Sequence, residues 1–140
     1  MSTQIPIIID TNIIFSSLLR ANSKFYNFII SENYHYWVCE CCIVELFKNK
    51  EKIIKLSQMT EIEIIEAYYT ILRKVNLFKE DLMTSEIVNQ AYDLCQDIDE
   101  NDTPHVALTL ELNGVLWTGD KKLKEGLLKK SFTQFFEPNV

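Results

Sequence analysis

The run Ile5-Pro6-Ile7-Ile8-Ile9, ending abruptly on Asp10, is the feature that most restricts what this chain can fold into. Branching at Cβ makes these side chains stiff in a helix and well suited to a pleated surface. A short apolar run without alternation reads as a strand buried on both faces, the kind found in parallel sheets. Pro6 lies near the strand's start, where a missing backbone donor is tolerated.

The rest of the chain supplies cover for such a strand. Helical stretches are expected from about Thr11 to Arg20 and from Ser23 to Ile30. His35 to Cys39 is aromatic and β-branched and reads as a second strand. Ile43 to Leu56 carries apolar Val44, Phe47 and Ile54 against a charged opposite side, which predicts one helix. Thr60 followed by Glu63 has the spacing of a capping box, so a helix is expected from there to about Lys74. Val75 to Phe78 reads as a short strand and Ser85 to Cys95 as a helix. A further helix is expected just after Asp102, running to about Leu112. Val115 to Thr118 reads as the last strand, with a short helix after Asp120. Strands and helices therefore alternate, which predicts an α/β domain with a mostly parallel sheet covered on both faces. The 140 residues make a single domain, 1–140.

Several function classes are set aside by composition and pattern. No apolar run approaches the roughly 18 residues a membrane span needs. Met1 to Gln4 lacks a basic start leading into an apolar stretch, so the expected location is cytoplasmic. A net charge of −6 does not suit a broad basic face for nucleic acid. It does suit a pocket of acids with lysines around it, and Lys48, Lys50, Lys52 and Lys55 fall close together, as do Lys121, Lys122, Lys124, Lys129 and Lys130. Each of these lysines can equally be a solvated helix face. Cys39, Cys41, Cys42 and Cys95 do not have the spacing of a zinc site and read as small buried hydrophobes. No glycine-rich loop is present, which excludes a P-loop or dinucleotide enzyme.

Four carboxylates stand at positions the fold should bring together. Asp10 follows the first strand and Asp120 the last, so in a parallel sheet both lie at carboxyl ends, where ligands bind in such sheets. Asp102 opens a helix and Glu45 lies early in the helix after the second strand. Each also has a purely structural reading. Asp10 and Asp102 can cap helices, Asp120 can cap the terminal helix, and Glu45 can pair with Lys48 one turn on. A capping Asp can still face a cleft. Two carboxylates about 5 Å apart repel by roughly 3 kcal/mol at an effective dielectric of about 20. Four converging acids therefore call for raised pKa values or a bound cation. Hard divalent ions, Mg²⁺ or Mn²⁺, suit an all-oxygen donor set, and such ions serve phosphodiester hydrolysis.

With these residues in view, the chain resembles the PIN-domain family over nearly its full length. The resemblance is carried by Ile7-Ile8-Ile9-Asp10-Thr11-Asn12, by Val44-Glu45-Leu46, by the acidic turn and helix Asp99-Glu100-Asn101-Asp102-Thr103-Pro104-His105-Val106-Ala107-Leu108, and by Leu116-Trp117-Thr118-Gly119-Asp120-Lys121-Lys122-Leu123, in that order. It implies a three-layer α/β/α domain with about five parallel strands. It also implies a Mg²⁺- or Mn²⁺-dependent ribonuclease acting through Asp10, Glu45, Asp102 and Asp120, with Asp99 as an accessory acid. Asn12 and Thr118 match polar positions that orient the carboxylates by hydrogen bonds. Small stand-alone relatives are often toxins of toxin–antitoxin pairs, which implies RNA as substrate and an antitoxin as partner. Many relatives dimerise, and the apolar helices here permit a homodimer. Asn113 falls where many members carry Gly, and Thr60 to Gln96 carries no family signature.

Two other functions fit the same residues. One is a PIN-like RNA- or protein-binding module without catalysis. The other is a phosphoacceptor receiver-like domain, although receivers usually carry paired acids where Asp10 is followed here by Thr11. His105, three residues after Asp102, is expected at a helix surface or lining a cleft. Phe15, Phe25, Tyr26 and Phe28 fall in helical stretches and are expected to pack in the core.

Overall fold

The computed structural model describes residues 4–138. Met1 to Thr3, on which the reading of a missing leader partly rests, and the last two residues lie outside the described residues. Four strands, β1 (Pro6–Ile9), β2 (His35–Cys39), β3 (Val75–Phe78) and β4 (Val115–Trp117), form one sheet in the order β3-β2-β1-β4. Every pairing is parallel, and Ile8 stands opposite both Trp37 and Leu116.

Successive side chains of a strand point to opposite faces, and this splits the core in two. Ile7, Ile9, Tyr36, Val38 and Trp117 face one layer of helices. That layer is α1 (Thr11–Ser17), α2 (Lys24–Ser31), α3 (Glu40–Lys48), α4 (Lys50–Leu56) and α5 (Glu61–Lys74). Ile8, Cys39 and Leu116 face α6 (Ser85–Cys95), α7 (Thr103–Glu111) and α8 (Lys121–Lys129). The result is the three-layer α/β/α arrangement expected, with Phe15, Phe25, Tyr26 and Phe28 packed against the first core.

The sheet has four strands, not about five. The fifth position is taken by residues 134–136, which meet β4 through one parallel bridge, Leu116 to Phe135. Leu116 N donates to Gln134 O at 2.8 Å, and Phe136 N donates to Leu116 O at 2.8 Å. β4 is only three residues long, so the segment beside it has little to pair with.

Two helices also differ from expectation. The helix expected over Ile43–Leu56 is divided at Asn49, whose φ of −102° and ψ of 12° leave the helical region. Asn49 Nδ2 donates to Glu45 O at 2.8 Å, so the side chain competes for a carbonyl of the helix it ends. The helix expected to reach Arg20 stops at Ser17. The carbonyls freed by the stop are met from outside: Ser57 Oγ donates to Leu18 O and Gln58 N to Leu19 O.

Chain order explains where a site can form. From β1 the chain builds outward through β2 and β3, then returns to add β4 on the other side of β1. The switch point therefore lies between β1 and β4, and ligands in such sheets bind beyond the carboxyl ends at that point. A cavity of about 530 Å³ lined by Gln4, Ile5, Tyr34 and Phe136 lies at the opposite, amino-terminal edge. No helix among the described residues is long and apolar enough to cross a membrane.

Candidate active site

Asp10 and Thr118 are placed by the two strands that flank the switch point. Asp10 is 3% exposed. Its Oδ1 accepts from Asn12 N at 3.0 Å, capping α1, and its Oδ2 accepts from the Thr118 hydroxyl at 2.7 Å. One carboxylate thus caps α1 with one oxygen and meets the end of β4 with the other, so the capping reading holds. Thr118 Oγ1 also accepts from Asp120 N at 3.1 Å. The single hydroxyl therefore ties the ends of β1 and β4 to each other. Asp120 caps α8 by accepting from Leu123 N at 3.1 Å.

Asp102 is different. It precedes α7 but caps nothing, contrary to the capping reading. A 3-10 turn over Glu100–Asp102 leads straight into the helix, and Asp102 already has helical φ and ψ of −85° and −4°. An N-cap needs an extended backbone to turn its side chain onto the first N–H groups. The carboxylate is left for other partners. Its pKa is pushed up to about 7, first by burial and then by the charges of Asp10, Asp99, Asp120 and Glu45. The other four acids expected at the site therefore all act on Asp102.

They are not equally close. Donor atoms of Asp10, Asp102 and His105 lie within 4.8 Å of one another. Glu45 joins through Thr11, whose hydroxyl donates to Glu45 Oε1 at 3.4 Å and meets His105 Nε2 at 3.3 Å. Asp120 is linked through Thr118 rather than by direct contact. Asp99 is exposed, and its Oδ1 accepts from Asn101 N at 3.0 Å, so it reaches the site through its charge. Asn12 touches Asp10 through its backbone N–H, which any residue could supply, and its side chain is exposed.

Two residues matter more than the sequence suggests. His105 is 2% exposed, which rules out a helix-surface position, and its Nδ1 is buried without a partner. Thr11 bridges α1, Glu45 and His105. The signals were there in Asp-Thr-Asn and in the spacing of Asp102 and His105, but only the fold brings α1, α3 and α7 together.

The residues present fit a hard divalent cation. The donors are carboxylates, and the pKa of one of them is raised to about 7 by burial and then by the charges of its neighbours. Among the described residues the ion pairs are Lys124–Glu137 and Lys130–Asp97. No lysine or arginine among the described residues forms an ion pair with Asp10, Glu45, Asp99, Asp102 or Asp120, so the Glu45–Lys48 pair that the sequence allows is not formed.

The chain is similar to the solved structure of VapBC2 from Rickettsia felis bound to a DNA fragment from their promoter. The identity is 16% and the TM-score 0.63, over 86% of this chain and 92% of that one. No curated protein matches the chain in sequence. The family model described as PIN domain matches residues 8–135. The segment it covers runs from the strand that carries Asp10 past the helix that Asp120 caps, and the chain belongs to the PIN-domain family.

Proposed function

We propose that this chain is a metal-dependent endoribonuclease in which Asp10, Glu45, Asp102 and Asp120 hold Mg²⁺ or Mn²⁺, with Asp99 adding charge. The observation that carries this reading is the half-buried Asp102 carboxyl set in the combined charge of Asp10, Asp99, Asp120 and Glu45, with no basic side chain among the described residues in an ion pair with any of them. Membership of the PIN family supports nuclease chemistry.

When bound, such a cation polarises the phosphoryl group, lowers the pKa of water and stabilises the leaving oxygen. The chain's own residues prepare for it. Thr118 fixes one oxygen of Asp10 and the backbone of Asp120, so two ligands keep their relative position. Thr11 holds Glu45 toward the cluster. Lys121 and Lys122 follow Asp120 at the start of α8 and are exposed, placed to meet the RNA backbone.

Likeness to the VapBC2 structure supports a role as the toxin of a toxin–antitoxin pair. A protein partner is further supported by exposed apolar side chains on α3 and α5, including Phe47 at 70% and Ile62 at 70%. An antitoxin is the proposed occupant. A homodimer belongs to the same reading, and light scattering of the isolated protein tests it.

The decisive experiment is cleavage of single-stranded RNA with Mn²⁺, with Mg²⁺ and with EDTA, comparing the unaltered chain with Asp10→Asn. Asn caps a helix about as well as Asp, so the variant folds while losing a charge. Metal-dependent cleavage that the variant lacks is expected. Cleavage that survives EDTA or the substitution overturns the reading, and metal binding without cleavage points to a binding module.

A further inference from the structure

We propose a second, softer metal site beside the acid cluster, in which Cys41, Glu45 and His105 bind Zn²⁺. The sulfur, one carboxylate oxygen and one ring nitrogen lie within 4.8 Å of one another. Cys41 and Glu45 are four residues apart on α3 and share a face of that helix. His105 reaches them from the first turn of α7.

A second observation, independent of this spacing, points to a ligand. His105 is almost fully buried, yet its Nδ1 has no hydrogen-bond partner. With the Thr11 hydroxyl hydrogen directed at Glu45, the ring tautomer that satisfies both contacts carries its hydrogen on Nε2 and donates it to Thr11. Nδ1 is then a buried lone pair with no hydrogen-bond donor among the described residues. Metal-binding histidines have this arrangement, one nitrogen fixed by a donor bond and the other bare.

The donor set selects the ion. Thiolate, imidazole and carboxylate together suit Zn²⁺, whereas Mg²⁺ and Mn²⁺ favour oxygen. Three protein ligands leave the fourth tetrahedral position open to water. Donors around a tetrahedral zinc stand roughly 3.3–3.7 Å apart, given bond lengths of about 2.0–2.3 Å. The three donors, which lie within 4.8 Å of one another, therefore draw together by up to about 1.5 Å when the ion binds. Cys41 binds as thiolate, and its proton passes to solvent.

Sequence spacing conceals this site because its ligands come from two helices far apart in the chain. Glu45 belongs to both sets, so Zn²⁺ here withdraws it from the acid cluster and slows a nuclease. That consequence rests on the nuclease reading; the binding does not.

The test is titration of the reduced full chain with Co²⁺, a spectroscopic stand-in for Zn²⁺. A thiolate-to-cobalt charge-transfer band should appear and vanish when Zn²⁺ is added. The band should be lost in Cys41→Ser, and His105→Ala should weaken Co²⁺ affinity by about 100-fold. In the unsubstituted protein, Zn²⁺ should slow alkylation of Cys41 by at least about tenfold, read by mass spectrometry, which removes dependence on variant folding. Absence of the band overturns the proposal. So does a band that survives His105→Ala at full affinity but is lost in Cys39→Ser, because the ion would then sit among Cys39, Cys41 and Glu80, the neighbouring donor group.

Discussion

Asp102 binds its proton far more tightly in the folded chain than a carboxyl does in water. Burial raises its pKa, and the charges of Asp10, Asp99, Asp120 and Glu45 raise it further, from 3.8 to about 7. In the metal-free protein, the native state therefore holds more protons than the unfolded chain between these values. Its contribution to stability is fully present below about pH 4 and is lost as pH rises through about 7. A shift of this size corresponds to about 4 kcal/mol, and solvent screening at a half-buried group reduces it to about 2 kcal/mol. Urea unfolding in EDTA should show stability falling by most of that amount from pH 4 to 8, and Asp102→Asn should flatten the fall. A flat profile in the unaltered chain would refute the assignment. Thr118 makes a different kind of contribution. Thr118→Val keeps the shape and removes the hydroxyl, leaving Asp10 Oδ2 without its donor and Asp120 N without its acceptor. Loss of about 1–3 kcal/mol of stability is expected. RNA cleavage should fall by about 10- to 100-fold, because the hydroxyl orients two of the four acids. Unchanged cleavage in single-turnover assays would show that Thr118 does not position them.

Elements were legible where one local rule decided them. β1 ends where the isoleucine run meets Asp10, and α5 begins at the capping box, with Thr60 Oγ1 accepting from Glu63 N and Glu63 accepting from Thr60 N. They were illegible where a side chain or a distant segment decided. Nothing in the apolar spacing of 43–56 reveals that Asn49 will bond back to Glu45 O. Nor does the sequence show that Ser57 and Gln58 will meet the carbonyls at the end of α1. The candidate site follows the same division. Asp10, Asp102 and Asp120 announce themselves beside strands and helix starts, whereas Thr11 and His105 gain their partners only when α1, α3 and α7 meet. The turn before β4 shows both sides. Asn113 adopts a left-handed φ of 51°, which Asn tolerates. Gly114 is the position that cannot change, because a Cβ there would lie 2.4 Å from Pro6 O, a backbone atom of β1. Gly114→Ala must push β4 away from β1 and should cost about 1–3 kcal/mol in urea unfolding. Stability within a few tenths of a kcal/mol of the unaltered chain would show that the strand ends yield.

At the scale of the molecule, the sheet concentrates negative charge at one edge of a chain that already carries −6. β1 and β4 stay paired to their ends while α1 and α8 leave toward opposite faces of the sheet, so Asp10 and Asp120 emerge close together, and the turn into α7 adds Asp102. The repulsion among them opposes folding, and no described lysine or arginine relieves it by an ion pair. A cation that binds the native cluster and not the unfolded chain must therefore stabilise the whole domain by mass action. At 100 times the dissociation constant the gain is about 2.7 kcal/mol, or roughly 8 to 11 °C in Tm for a domain of this length. Thermal unfolding in EDTA and then in saturating Mg²⁺ or Mn²⁺ should show that rise. In Asp10→Asn the rise should shrink, while the metal-free Tm should stay level or increase, because one repelling charge is gone and the cap to Asn12 N is kept. A metal-free variant much less stable than the unaltered chain would mean that Asp10 serves mainly to hold the ends of β1 and β4 together through Thr118. An equal metal response in both proteins would place the cation elsewhere.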